Sequence, residues 1–259
     1  MSLNRRITDW RGMRVWVVGA SSGIGLALAR ALLLAGAEVA LSARKPEPLQ
    51  VLADEFTGQA LALPMDVSST ESWAQAYTAL QQWRPELDQL IFCAADYQPV
   101  RAWTLDPVQA SRMVDVNIKG AMYGVHTVLA DMLARGKGGI ALTASVAGYV
   151  GLPRSLVYGP TKAALINFCE ALYLDLHGRG IAVSVINPGF VATPLTAGND
   201  FNMPALISAE EAAREIMAGL AAGEFEIHFP KRFTGWLKAL RHLPYALQFR
   251  ALKSVAEQA

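Results

Sequence analysis

Tyr158 and Lys162 stand four residues apart in the stretch VYGPTKAAL, Val157 to Leu165, with Gly159, Thr161, Ala163 and Ala164 around them. On a helix, residues at this spacing are neighbours on one face. A free phenol has a pKa of about 10 and is a poor proton carrier at neutral pH. An ammonium beside it favours the phenolate, and each unit of lowering takes about 1.4 kcal/mol. A tyrosine tuned in this way can take a proton from an alcohol or return one to a nascent alkoxide. Ser145, thirteen residues before Tyr158, offers a hydroxyl that could hold a substrate oxygen against the phenol. Asn117 lies within a stretch that otherwise reads as helix, where asparagine is a poor former. It suits a point where backbone pairing breaks and a water is held. Taken singly, these residues have plain readings: a lysine snorkelling along a helix face, a serine at a strand end, a surface amide.

Their joint meaning depends on a second constellation. Gly19, Gly23 and Gly25, in GASSGIG, follow one apolar run and open the next. A helix N-terminus presents unpaired N–H groups and a partial positive charge, and glycines let the backbone close on a diphosphate. The spacing is GxxxGxG, in the strand–turn–helix context that a dinucleotide site demands. A positively charged nicotinamide ring near Tyr158 would add to the effect of the lysine. An NAD-binding unit usually carries an acid at the end of its second strand, where it accepts from the ribose hydroxyls. Here that strand runs EVALSARK, and the acid position is Ala43, followed by Arg44 and Lys45. A carboxylate there would repel a 2′-phosphate, whereas a guanidinium pairs with it as a fork. NADP(H) is therefore the expected cofactor, in preference to NAD(H).

The elements that must position these groups read as an alternation. Strands are expected in RVWVV (14–18), EVALSA (38–43), ALALPMDV (60–67), LDQLIFCAA (87–95), GGIALTAS (138–145), IAVSVINPG (181–189) and EFEIHF (224–229). Helices are expected between most of them, with residues 44–59 left unassigned. One closes at Gly36, one opens at Ser69 or Thr70, and one long helix over 106–136 has Asp106 as N-cap and Pro107 at its first position. Another spans 157–180, and a last one opens with a capping box from Ser208 to Glu211. Repeated β-then-α order predicts a single-domain α/β fold, a doubly wound parallel sheet of Rossmann type with helices on both faces.

The chain has 259 residues, of which 53% are hydrophobic and 17% charged, and a formal net charge of +1. This is a globular composition with no basic excess that would suggest nucleic acid. Cys93 and Cys169 lie in apolar surroundings without metal-ligand spacing, so reduced, buried thiols and no metal site are expected. The start, MSLNRRITDW, lacks the apolar region of a signal peptide, and no run is long enough to span a bilayer. The expected location is the cytoplasm, either free or at the periphery of a membrane.

With these motifs in order, the chain resembles the short-chain dehydrogenase/reductase family over about residues 12–230. The carriers are GASSGIG, MDV (Met65–Val67), NIKG (Asn117–Gly120), TAS (Thr143–Ser145), YGPTK (Tyr158–Lys162) and NPGFVATP (Asn187–Pro194). The resemblance implies that Tyr158 is the catalytic acid/base and that Lys162 lowers its pKa and binds the nicotinamide ribose. It implies that Ser145 orients the substrate carbonyl and that Asn117 anchors a water in a proton relay. Asp66 and Val67 would contact adenine, and Thr193 would bind the carboxamide. Ser21, Ser22 and Arg44 would meet the adenosine phosphate. Gly19, Gly23, Ile24, Gly25, Pro188, Gly189 and Val191 complete the implied cofactor set. One departure stands out: the family usually has Asn-Asn-Ala-Gly after its fourth strand, and here the stretch is Phe92-Cys93-Ala94-Ala95. Cys93 cannot make the bracing bonds of an asparagine, and Ala95 adds a methyl group where the cofactor lies close.

The stretch LTAGNDFNMPALI (195–207) falls where the family's substrate loop lies. Phe201, Met203, Leu206 and Ile207 there suggest a hydrophobic ketone, aldehyde or alcohol, or simply a lid whose apolar groups pack down. Residues 231–259 read as a helical extension split near Pro244, mixing aromatic, aliphatic and basic residues, Lys253 among them. Such a tail packs on its own body or a partner subunit, or lies on a membrane surface. The overall expectation is an NADP(H)-dependent carbonyl reductase or the reverse dehydrogenase, a homodimer or homotetramer built through the two long helices. The alternative is a dinucleotide-binding sensor or scaffold that kept the fold without turnover.

Overall fold

The chain is described by a computed structural model over residues 2–199 and 203–257. Seven strands form one sheet, β1 (Arg14–Val18), β2 (Glu38–Ser42), β3 (Ala60–Ala62), β4 (Gln89–Phe92), β5 (Gly138–Thr143), β6 (Ile181–Pro188) and β7 (Glu226–Phe229). Their order is β3-β2-β1-β4-β5-β6-β7 and every pairing is parallel. The helices are α1 (Gly23–Leu34), α2 (Pro46–Glu55), α3 (Thr70–Trp83), α4 (Pro107–Val114), α5 (Gly120–Arg135), α6 (Tyr158–Leu176), α7 (Ala209–Ala222), α8 (Lys231–Arg241) and α9 (Tyr245–Glu257).

Side chains alternate across a strand, so the sheet feeds two cores. Trp16 and Val18 face a layer that holds Trp73 of α3, Val128 of α5 and Leu165 of α6. Val15 and Val17 face the opposite layer, with Leu28 of α1, Leu49 of α2 and Ile216 of α7. This is the doubly wound architecture, and its crevice opens where the strand order reverses, between β1 and β4.

Local capping follows the sequence closely. Ser69 accepts from Ser72 N–H, Asp106 from Val108 N–H, and Ser208 from Glu211 N–H. Two elements differ from expectation. The long helix over 106–136 is in fact α4 and α5 joined by a widened, π-type turn at Asp115–Lys119, with Asn117 at its middle. Helix α2 carries Pro46 and Pro48 in its first turn and was hidden by them.

Candidate active site and cofactor cleft

The cleft begins with how β1 hands over to α1. Ser42 O, at the end of β2, accepts both Gly19 N–H and Ala20 N–H, at 2.7 and 3.0 Å. The Ser42 hydroxyl is itself fixed by Trp16 Nε1–H at 2.8 Å. Gly19 has φ +93°, and a Cβ there would stand 2.5 Å from Ala94 N. Only glycine allows the loop after β1 to close on the segment after β4. Helix α1 then starts at Gly23 with Ser22 as N-cap; the Ser22 side chain makes no capping bond and no acid lies in the first turn. Free N–H groups and positive dipole therefore face the cleft.

That cleft is a cavity of about 750 Å³. Gly19, Ser21, Ser22, Gly23, Ile24 and Gly25 line one side. Arg44, Asp66, Val67 and Thr193 also line it, together with Ala43 and the departing segment Cys93–Ala95. Asp66 accepts from the hydroxyl and N–H of Ser68, and these bonds, with the charge of Arg44, hold its carboxyl below its usual range. Val67 is set by Trp73 Nε1–H, which donates to Val67 O at 2.9 Å. Pro188, Gly189 and Val191 do not line the cavity. They form the end of β6 and the backbone that carries Thr193, with Gly189 N–H donating to Phe229 O and Val191 O accepting from Thr196 Oγ1.

Ser145, Tyr158 and Lys162 meet behind this wall. Ser145 ends the β5 segment and caps a short turn, Val146–Gly148, through Ala147 N–H. Gly148 packs flat on α6, where a Cβ would stand 2.7 Å from Ala163 N. The close approach sets Ser145 beside Tyr158, where its hydroxyl favours the phenolate. Tyr158 is the first residue of α6, and Lys162 follows one turn later with Nζ 5.4 Å from the centre of the phenol ring. Lys162 is 1% exposed. Among the described residues its ammonium finds one acceptor, Thr143 O at 2.8 Å, so two N–H donors remain for a polar ligand. Cys93 links this group to the cavity, since its thiol feels the Lys162 charge.

Burial sets the ionisation here, and it reverses the sign expected from spacing. Tyr158 is pushed up to about 12 by desolvation, which outweighs the Ser145 hydroxyl that pulls it down. Lys162 is brought down to about 8 by the same cause. The tyrosine–lysine pair alone therefore does not supply a low-pKa phenol. Cys93 likewise departs from the expected fully buried thiol. It is partly exposed on the cavity wall, braced by Val18 O accepting its N–H and by the Thr143 hydroxyl 3.5 Å from its sulfur, and burial raises it to about 11. Cys169 is buried. Among the described residues no cluster suits a metal ion.

The lysine shift makes a stability prediction. Between pH 8 and 10.5 the unfolded chain keeps a proton on Lys162 that the folded chain has released, so this group's contribution to stability rises with pH across that window. Lys162→Met should melt above the unmodified protein at pH 7, and the gap should narrow as pH climbs from 8 toward 10.5. Paired thermal melts across that range check it, and a gap independent of pH counts against a buried ammonium.

Asn117 is fully buried and its amide is committed to protein. Oδ1 accepts from Asp96 N–H at 2.8 Å, and Nδ2 donates to Asp96 O and to Thr161 Oγ1 at 2.9 and 3.0 Å. Thr161 in turn donates to Tyr158 O at 2.7 Å. Asn117 thus ties the loop after β4 to the first turn of α6. Sequence reasoning passed over the neighbours this clamp fixes. Asp96 forms a two-pronged ion pair with Arg112, and both line the cavity. The Tyr97 ring stands edge-on to Tyr158 at 4.9 Å, and its hydroxyl donates to Asn199.

Asn199 belongs to the expected substrate loop. Its base is held by Ala192 N–H donating to Ile207 O and Ile207 N–H donating to Phe190 O. Ile207 packs on the core, Leu195 and Leu206 are exposed, and Met203 receives Asn199 Nδ2–H. Phe201 lies outside the described residues.

Comparison with known proteins gives a consistent picture. A family model for the short chain dehydrogenase matches residues 13–203. An uncharacterized oxidoreductase of Myxococcus xanthus is 32% identical over 234 residues, 89% of this chain and 92% of that protein. A similarly described protein of Staphylococcus epidermidis is 31% identical over 204 residues, covering 79% of this chain and 89% of its own. Among solved structures, a short-chain dehydrogenase from Streptomyces avermitilis shares the fold with a TM-score of 0.81 at 20% identity, over 95% of this chain and 98% of that one. A short chain dehydrogenase/reductase family protein gives 0.74 at 25% identity, over 85% and 97%.

Proposed function

The chain belongs to the short-chain dehydrogenase family of oxidoreductases, and on that premise we propose that it interconverts a carbonyl and an alcohol with NADP(H), acting on a hydrophobic substrate. The observation that carries this reading is the buried Lys162 ammonium, one turn from Tyr158, with a single acceptor among the described residues. A buried cation with spare donors beside a dinucleotide-shaped cleft suits the hydroxyls of a ribose. The family binds nicotinamide dinucleotides, and the residues present fit one. The N-terminus of α1 without an acid in its first turn suits the diphosphate, and Arg44 suits a 2′-phosphate.

In this reading a bound nicotinamide supplies the hydride donor or acceptor. The chain does the rest. The Ser145 hydroxyl holds the substrate oxygen beside the Tyr158 phenol. In reduction Tyr158 Oη gives its proton to the oxygen as the alcohol forms, and in oxidation it takes that proton back. Lys162 supports the phenolate and holds the ribose. The amide of Asn117 is spent on Asp96 and Thr161, so a relay water would rest on the backbone of the widened turn, where regular helical pairing is interrupted. The apolar residues Leu195 and Leu206 suit a hydrophobic substrate. The test is a panel of ketones, aldehydes and alcohols followed by NADPH absorbance. A protein that binds NADPH and turns over no member of the panel would be a dinucleotide sensor or scaffold instead.

We also infer a homodimer or homotetramer in the cytoplasm. Members of the family are typically oligomeric, and α5 and α6 leave Met122, Leu133 and Leu174 exposed. Closed symmetry is the usual way to cover such residues. Light scattering at micromolar concentration should give a multiple of the 27.9 kDa chain mass, and a monomeric mass would count against it.

A further inference from the structure

The helical extension α8–α9 has a charge and an exposed surface that catalysis does not use. Of the 23 Lys and Arg and 22 Asp and Glu in the chain, residues 231–259 hold six and one, which leaves 17 against 21 in residues 1–230. The body is net negative, and the extension is strongly positive. Charge asymmetry of this kind points to an anionic partner. Lys231 and Lys238 are engaged by Glu224 and Glu226. Arg232, Arg241 and Arg250 have no ion pair among the described residues, and all three are exposed.

The extension also carries apolar groups that the core does not take. Leu237, Leu240 and Leu252 are buried and anchor the extension. Gln248 seals the corner by donating to Leu240 O. Facing outward are Trp236, Leu243, Tyr245, Leu247 and Phe249, from 40% to 74% exposed. Tyr245 and Phe249 stack on each other at 5.6 Å rather than on the body. Exposed aromatic and aliphatic side chains interleaved with unpaired arginines match a helix lying in a lipid headgroup layer. No helix among the described residues is long and apolar enough to cross a membrane.

We propose that α8 and α9 form a docking surface for an anionic lipid bilayer. The extension is also placed to present the catalytic end of the molecule. Helix α8 leaves the C-terminal end of β7, the end at which all seven parallel strands deliver their loops. Lys238 lies over the Tyr149 ring in the loop between Ser145 and Tyr158, and Phe233 meets Phe190 at the base of the substrate loop. A bilayer bound by α8–α9 would lie beside the entrance through which an apolar substrate arrives.

The test does not depend on any substrate. The full chain is co-sedimented with vesicles of phosphatidylcholine, with and without phosphatidylglycerol. Binding is expected to the anionic vesicles only, and to fall when salt is raised to about 1 M, where the Debye length is about 3 Å. Arg241→Glu combined with Arg250→Glu should lower partitioning by about thirtyfold or more, since each basic residue near an anionic surface contributes roughly a factor of five. Tyr245→Ser with Phe249→Ser should lower it as well at unchanged charge. Thermal melts and NADPH titration of each variant separate lost docking from lost folding. Equal binding to neutral vesicles, no binding to either, or binding untouched by both double variants would overturn the proposal. So would concentration-dependent self-association without lipid that both double variants abolish, because the surface would then be covered by a second copy.

Discussion

Tyr158→Phe will lower turnover by about a hundred- to ten-thousandfold, the range in which positioned proton transfer contributes, while NADPH binding survives. The substitution keeps the ring that packs against Tyr97 and removes the one hydroxyl placed beside Ser145. Ser145→Ala should cost turnover with little effect on cofactor, because in the proposed reading its hydroxyl would hold the substrate oxygen. Lys162→Met should cost both, since one ammonium would serve phenol and ribose together. The pH dependence has a definite sign. Oxidation needs the phenolate, and burial holds the phenol at about 12 in the chain alone. The oxidation rate should therefore rise with pH, and reduction, which needs the protonated form, should not gain. The positive charge of an oxidised nicotinamide in the turnover complex would bring the midpoint of that rise below 12. Stopped absorbance assays in both directions on the best substrate of the panel measure it. Wild-type turnover by Tyr158→Phe would leave the pair as an ordinary helix face.

How far these features were legible in sequence depends on whether their cause is local. Strand β1 is RVWVV, an apolar run between a turn and a glycine loop, and its limits follow from composition alone. The caps at Ser69, Asp106 and Ser208 follow from the side chains themselves. Helix α2 is the instructive miss: PEPLQVLADE goes unassigned in sequence, yet its two prolines fit a first turn, because the missing N–H has no partner there anyway. Asn117 could be singled out as a poor helix former, but the widened turn around it depends on Asp96 and Thr161, 21 and 44 residues away. Tyr97 carried no signal at all, because only that clamp sets its ring on Tyr158. The direction of the phenol's shift was out of reach for the same reason. Spacing brings an ammonium near, but desolvation is a property of everything packed around the site.

Arg44→Ala will weaken NADPH by about tenfold and leave NADH nearly untouched. The cavity at the end of β2 is lined by Ala43, Arg44 and Asp66, and no carboxylate stands at Ala43 to meet ribose hydroxyls. A guanidinium paired with a 2′-phosphate makes charge-assisted bonds of about 1.5–3 kcal/mol. Arg44 is exposed, so screening holds the effect toward the lower end of that range, and it should shrink further as salt is raised. Asp66 tempers it too, because its carboxylate shares the field of Arg44. The converse change is sharper. Ala43→Asp sets a like charge against the 2′-phosphate and an acceptor against the free ribose, so preference should move toward NADH. Ala43 is nearly buried, and a melt of this variant is needed beside the titration. Fluorescence titrations with both cofactors, on the unmodified protein and on each variant, give the four affinities. Equal binding of NADPH and NADH by the unmodified chain would mean that Arg44 is a solvated loop residue and that the missing acid carries no preference.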